Sequence, residues 1–290
     1  MAGLYGPTSE AWRLNREAML LLGAGPRALL LQIAHPLVAE GVDQHSDFRR
    51  DPWRRLEGTL RSYLRIVYGS TAAARAEIAR LERIHRHVTG PVVDPEAAQR
   101  FPGRYEARDP SLSLWVHATL VDSTIVAYRE WIEPLGRAAE ARFYAETLPI
   151  GRAFGIPDEL LPQDHDAFEA YVAGMLGPEG PVHPTPTART LAGYILHPTL
   201  APLAPPIAPW LEQLPRWLYD WAMWPAVALL PAQVREEYAI AWSLERGVAA
   251  SLVLAAWRAW RPLLPAGVRQ MPQALAADRR VARAGLGPRE

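Results

Sequence analysis

The chain has 290 residues, of which 49% are hydrophobic, enough to bury a sizeable core. Its formal net charge is +0, so it lacks the basic footprint that nucleic-acid binding requires. The absence of cysteine removes thiolate ligands, disulfides, iron–sulfur clusters and a cysteine nucleophile together; any metal must be held by His, carboxylate, Tyr or Met.

The opening Met1-Ala-Gly-Leu-Tyr-Gly has neither the charged nor the apolar region of a secretory signal, which predicts a cytoplasmic protein. Apolar residues at helical spacing recur between Pro/Gly breaks, while Val/Ile/Thr alternation is nearly absent, so the expected fold is all-α. A first helix is expected over 9–22, broken at Gly23-Ala-Gly-Pro26, and a second from Pro26 to about Val42, kinked by Pro36 beside His35. Asp51-Pro52 starts a third helix reaching Tyr68, and Thr71 to Val88 forms a fourth, stopped by Gly90-Pro91. Asp109 caps a helix ending at Trp131, Pro134 to Thr147 continues the series, and Asp164 caps another through Met175. From Gly177 to Pro215 the Pro content predicts a long irregular connection. Helices over 217–230 and 231–260 close the core, and the Arg-rich tail from Ala276 is expected to fray, leaving one domain over 1–275 and a tail over 276–290. Leu218 to Leu230 is the most apolar stretch, short of the roughly 18 residues a spanning helix needs, and is read either as a core helix or as a peripheral membrane contact.

Four islands set ionisable groups in apolar helical runs: Arg27-Ala-Leu-Leu-Leu-Gln-Ile-Ala-His-Pro36 with Gly41-Val-Asp-Gln-His45, Asp51-Pro-Trp-Arg-Arg-Leu-Glu-Gly-Thr59, Ile84-His-Arg-His-Val-Thr-Gly90, and Trp115-Val-His-Ala-Thr-Leu-Val-Asp-Ser123. Ile78, Leu81, His85 and Val88 fall on one helical stripe, so His85 is expected to point inward and His87 outward. An inward imidazole must be neutral and either hydrogen-bonded or ligated, because leaving it unpaired costs about 1–3 kcal/mol. Arg55 and Thr59 share a neighbouring stripe at i and i+4 and can reach one ligand together; a solvated Arg and a tolerated Thr are the other reading. His117 is apolar on nearly every side, with Asp122 and Ser123 a turn beyond, so burial is expected. Walker, Gly-x-Gly-x-x-Gly and Gly-x-Ser-x-Gly motifs are missing, and His85 and His87 point apart on a helix, so they cannot share one ion there.

Taken in order, these islands resemble the catalytic domain shared by latex-clearing protein, a bacterial rubber oxygenase, and the membrane-bound oxygenase of mycophenolate biosynthesis. The resemblance implies an all-helical fold with a globin-like core and haem b as cofactor. It implies His85 as the axial iron ligand with dioxygen on the opposite face, and Arg55 and Thr59 on the substrate side. His117 would be a histidine of the haem pocket, the alternative being a core His bonded to a backbone carbonyl; His35 and His45 would either face haem or fix the helix turn between them. In the rubber oxygenase a Lys that can cap the iron precedes the Thr; here the position is Gly58, which argues against rubber itself as substrate. Glu40 or Asp43 would be the candidate base. The implied activity is oxidation or cleavage of a carbon–carbon double bond in a hydrophobic, isoprenoid or lipid-like substrate. The rival expectations are a haem protein without oxygenase turnover (peroxidase-like, sensor or storage) and a haem-free helical lipid-binding protein.

Overall fold

The computed structural model describes residues 3–46, 52–197 and 223–285, with the backbone alone for 21, 22 and 52–56, and it is helical apart from one two-stranded hairpin. Ser9 caps the short α1 (Glu10–Leu14) by accepting from the Trp12 N–H. The chain then turns at 15–17 and enters α2 (Ala18–Ala34). The expected break at Gly23-Ala-Gly-Pro26 does not occur, for α2 runs straight through Pro26. Packing overrides the local signal: a Cβ at Gly23 would stand 2.6 Å from the Trp131 indole, so the glycine serves close approach to another helix.

The real break lies at His35-Pro36. The residue before a proline is pushed out of the α region, and His35 is extended (φ −77°, ψ 121°), ending α2 and capping α3 (Pro36–His45). α4 (Pro52–Tyr68) and α5 (Thr71–His85) form an antiparallel hairpin, with Ser70 capping α5. α5 stops three residues short of the expected Val88, leaving His85 as its last residue. Next come β1 (Thr89–Pro91), α6 (Pro95–Arg100) capped by Asp94, and β2 (Arg104–Glu106), which pairs antiparallel to β1 with Gly90 opposite Tyr105.

α7 (Pro110–Trp131), capped by Asp109, is the central helix and packs most extensively on α2. α8 (Arg137–Ala153) continues through Pro149 beyond the expected Thr147, and α9 (His165–Leu176) follows its Asp164 cap. The stretch expected to be irregular contains α10 (Pro186–Leu196). Thr185 accepts from Ala188 as its cap and Pro186 suits its first turn, while Ala188, Leu191 and Ala192 bury against α2 and α3. After a helical stretch at 223–228, the single helix expected from Pro231 is split into α11 (Ala232–Glu237) and α12 (Leu244–Trp260) by Ala239, whose φ of 55° cannot continue a helix. α13 (Ala266–Arg269) precedes α14 (Pro272–Arg283). Residues 276–283, expected to fray, are held instead: Ala274, Ala277 and Val281 pack with Trp12, Leu64 and Tyr68, and the Trp12 indole donates to Asp278 at 2.9 Å. The fold is thus all-α in a single domain. Among the described residues no single helix is long and apolar enough to cross a membrane; Leu218 itself lies outside them.

Candidate functional site

The first and fourth islands meet at the α2–α7 interface. Arg27 is 4% exposed, and its guanidinium donates to the Leu229 carbonyl at 2.7 Å, to Asp122 at 2.6 Å and to Ser123 at 2.8 Å. Trp115 donates its indole N–H to the Leu31 carbonyl at 3.1 Å. Much of what makes these islands distinctive therefore joins α2, α7 and the chain at 229: a buried arginine is stable only when its donors are met.

His117 is buried, as its surroundings in the sequence predict, and burial pushes its pKa down to about 4, so it is neutral near pH 7. Its Nε2 has no hydrogen-bond partner among the described residues. A Cβ on Gly151 would come within 3.5 Å of that nitrogen and within 3.1 Å of Leu161, so α8 and the loop after it already occupy the space the imidazole faces. Among the described residues no backbone carbonyl takes its Nε2.

His35 is buried too, with its pKa lowered to about 4, chiefly by burial. Its Nδ1 accepts from the Leu37 N–H at 3.3 Å and its ring lies 5.5 Å from that of Phe101. His35 thus caps the turn between α2 and α3. His45 is exposed at the end of α3, with Nε2 3.1 Å from the Thr89 carbonyl, tying α3 to β1. Glu40 is 1% exposed, yet its carboxylate accepts from Val93 and Asp94 N–H and from Gln44. With its oxygens engaged in positioning the Asp94 cap, Glu40 does not stand as a free base.

His85 differs from these. It is half-buried at the C-terminal end of α5, where the stripe begun by buried Thr71, Ala74 and Ile78 thins to half-buried Leu81, His85 and Val88, while His87 is exposed. The inward setting expected for His85 is thus only partly realised, because α5 ends there and its last turn looks out of the core. Ser62 donates to Glu77 at 2.8 Å and fixes the register of the α4–α5 hairpin. Extended along two antiparallel helices, that register brings the backbone of residue 55 to the level of His85, with Thr59 about a turn further in. By that register residues 55, 59 and 85 fall toward one end of the hairpin, while His117 lies on α7 against α8. The Arg55 side chain lies outside the described residues. Gly58 is exposed, and no atom among the described residues comes within 4 Å of a Cβ placed on it. His85 is half-buried at the end of α5, and an imidazole is a donor type that haem iron takes; His35 and His45 already hydrogen-bond Leu37 and Thr89.

Two features escaped the sequence reading. One is a polar surface cleft of about 420 Å³ lined by Glu96, Arg100, His183, Thr185, Arg189 and Glu237, with His183 Nδ1 3.1 Å from Glu237. Charged walls of this kind are the opposite of what a hydrophobic substrate needs. The other is a group of Glu140, His165 and Glu169 between α8 and α9. In both, the partners lie on separate elements, and no spacing in the sequence announces them.

Comparison with known proteins places the family. No solved structure matches this chain. It is 27% identical to uncharacterised proteins of Mycobacterium bovis and Mycobacterium tuberculosis over 148 residues, 49% of this chain and 55% of each relative, so it spans about half the length of the curated relatives it matches. Residues 12–266 match the family described as ER-bound oxygenase mpaB/B'/Rubber oxygenase, catalytic domain, which covers every island discussed above, and the chain belongs to that family.

Proposed function

We propose that this protein is a haem-b-dependent oxygenase that uses dioxygen to oxidise or cleave a carbon–carbon double bond in a hydrophobic, isoprenoid or lipid-like substrate. Membership of an oxygenase family supports the reaction class. The observation that supports this reading of the site is the α4–α5 helix pair with Ser62 bonded to Glu77, whose antiparallel register is consistent with His85 lying at the same end as residues 55 and 59. Haem held by His85 would supply the dioxygen chemistry.

The chain's own residues divide the remaining work. His85 holds the iron through a neutral imidazole nitrogen, and its place at the end of α5 keeps that ring clear of the packed core. Arg55 contacts the haem or its surroundings with a permanent positive charge, and Thr59 lines the substrate side one turn along the same helix. Gly58 offers no donor between them, so no side chain at that position closes the iron's open face. His117 serves the neighbouring core as a neutral ring, His35 caps the start of α3, and His45 ties α3 to β1.

The reaction class is tested by incubating protein produced with haem supply and a panel of unsaturated isoprenoids and lipids in oxygenated buffer, then trapping carbonyl products with a hydrazine. Carbonyl products from wild type, absent in His85→Ala and under nitrogen, are expected. A Soret-absorbing protein that yields no oxidised product from any member of the panel would assign the chain to a non-oxygenase haem protein instead.

A further inference from the structure

A second cluster of ligating side chains lies away from the hairpin, where α8 packs on α9. One ligand atom from each of Glu140, His165 and Glu169 lies within 4.8 Å of the other two. Glu140 stands in the first turn of α8, and His165 and Glu169 are one turn apart on α9, so both face the same neighbouring helix. Glu140 and His165 are each 4% exposed. His165 has its Nδ1 buried without a hydrogen-bond partner among the described residues, a costly arrangement unless something accepts or donates there. Its ring is held between aromatic neighbours, with centroids 6.3 Å from Tyr144 and 6.0 Å from Phe168, and the Asp164 cap fixes the start of its helix. The imidazole is therefore pre-set in direction, which lowers the ordering cost of binding.

We propose that Glu140, His165 and Glu169 form a binding site for a divalent transition-metal cation that ties α8 to α9. One imidazole and two carboxylates form a nitrogen–oxygen donor set suited to Zn²⁺, with Fe²⁺ or Mn²⁺ as chemically related occupants. The spread of the donor atoms exceeds what a single ion at about 2.0–2.2 Å from each ligand would give, so the carboxylates must close in by a rotamer change. Glu169 is free to do so, being 48% exposed.

The opposing factor is Arg137. Its guanidinium lies 2.7 Å from Glu169 and 3.8 Å from Glu140, and Arg129 is 3.5 Å from Glu140, so two positive charges already balance the two carboxylates. Arg137 is 56% exposed and also pairs with Asp166, which gives it an alternative partner on the surface. It thus acts as a competitor that the cation displaces toward Asp166, while Arg129 continues to neutralise part of the charge.

Calorimetric titration with Zn²⁺ after EDTA treatment tests this, with the haem absorption left as an independent readout that does not depend on the outcome. Wild type is expected to bind one Zn²⁺ per chain. His165→Gln and Glu140→Gln should weaken it by more than the roughly 10–100-fold typical of losing an outer-shell partner. Arg137→Gln should bind more tightly than wild type, a gain that misfolding cannot produce. The site is overturned if wild type takes up no Zn²⁺, if His165→Gln and Glu140→Gln bind as wild type does, or if Arg137→Gln binds no more tightly.

Discussion

Two regions carry histidine in apolar sequence, and they have opposite characters. At the α2–α7 interface the polar groups are tied to neighbouring chain: Arg27 spends its donors on Asp122, Ser123 and Leu229, Trp115 donates to Leu31, and the His117 ring lies close to Gly151. At the end of the α4–α5 hairpin, His85 is half-buried as the last residue of α5. A histidine deep among aliphatics is a poor place to bring a large ligand, because close-packed surroundings must first be displaced. A histidine at the end of a helix hairpin costs the core little and can be reached from outside. Burial in the sequence pattern and availability for chemistry are separate properties, and in this chain His117 and His35 are buried while His85 is half-buried.

Four measurements sharpen that contrast. The largest effect is expected at the buried ion pair: Arg27→Gln leaves Asp122 without its cation, and stability should fall by about 3–5 kcal/mol, read as a lower urea midpoint at unchanged slope. A fall below about 1 kcal/mol would make the pair no stronger than a surface one.

Acid should act next. His117 and His35 have their pKa lowered from 6.5 to about 4 in the folded state, so between these values the unfolded chain binds more protons than the folded one. Their contribution is fully present above about pH 6.5, and it is lost as pH falls toward 4. The limiting loss is about 3 kcal/mol for each ring on the usual conversion of pKa units to free energy. Stability curves from pH 7 to pH 4 should therefore be shallower in His117→Leu than in wild type; superimposable curves would mean that His117 does not titrate as a buried ring.

A smaller loss is expected at Gly23→Ala, whose Cβ would press on Trp131 and cost about 1–3 kcal/mol by overpacking, detectable as a lower Tm. If the variant is as stable as wild type, helix continuity through Pro26 does not depend on that close approach. The smallest effect belongs to the hairpin: His85→Ala in the haem-free chain should change stability by less than about 1 kcal/mol, in contrast to the core positions. A loss as large as that of Arg27→Gln would show His85 to be a core residue after all.

The sequence made the helical class legible because its signals were local. Asp94 apart, caps at Ser9, Asp109 and Asp164 and the Pro36 break can each be read within one turn. Gly23-Ala-Gly-Pro26 misled because α2 continues through it, and Gly23 answers instead to close approach by Trp131, more than a hundred residues away. α10 was hidden by its own start signal, Thr185-Pro186, set within a Pro-rich run. Of the site, the stripe on α5 and the Arg55–Thr59 spacing could be read, since both are properties of single helices. The occupation of the Glu40 carboxylate by Val93 and Asp94, the wall that Gly151 puts before His117, and the meeting of Glu140 with His165 all arise from packing between helices.

The central claim is that His85 holds the iron of haem b. A pyridine haemochrome assay and visible spectrum of wild type and His85→Ala, each produced with haem supply, test it most directly. The account predicts stoichiometric haem b with a Soret band in wild type, and a haem content or spectrum sharply altered in His85→Ala with helical content retained. No haem in wild type, or an identical spectrum and haem content in the two proteins, would contradict it.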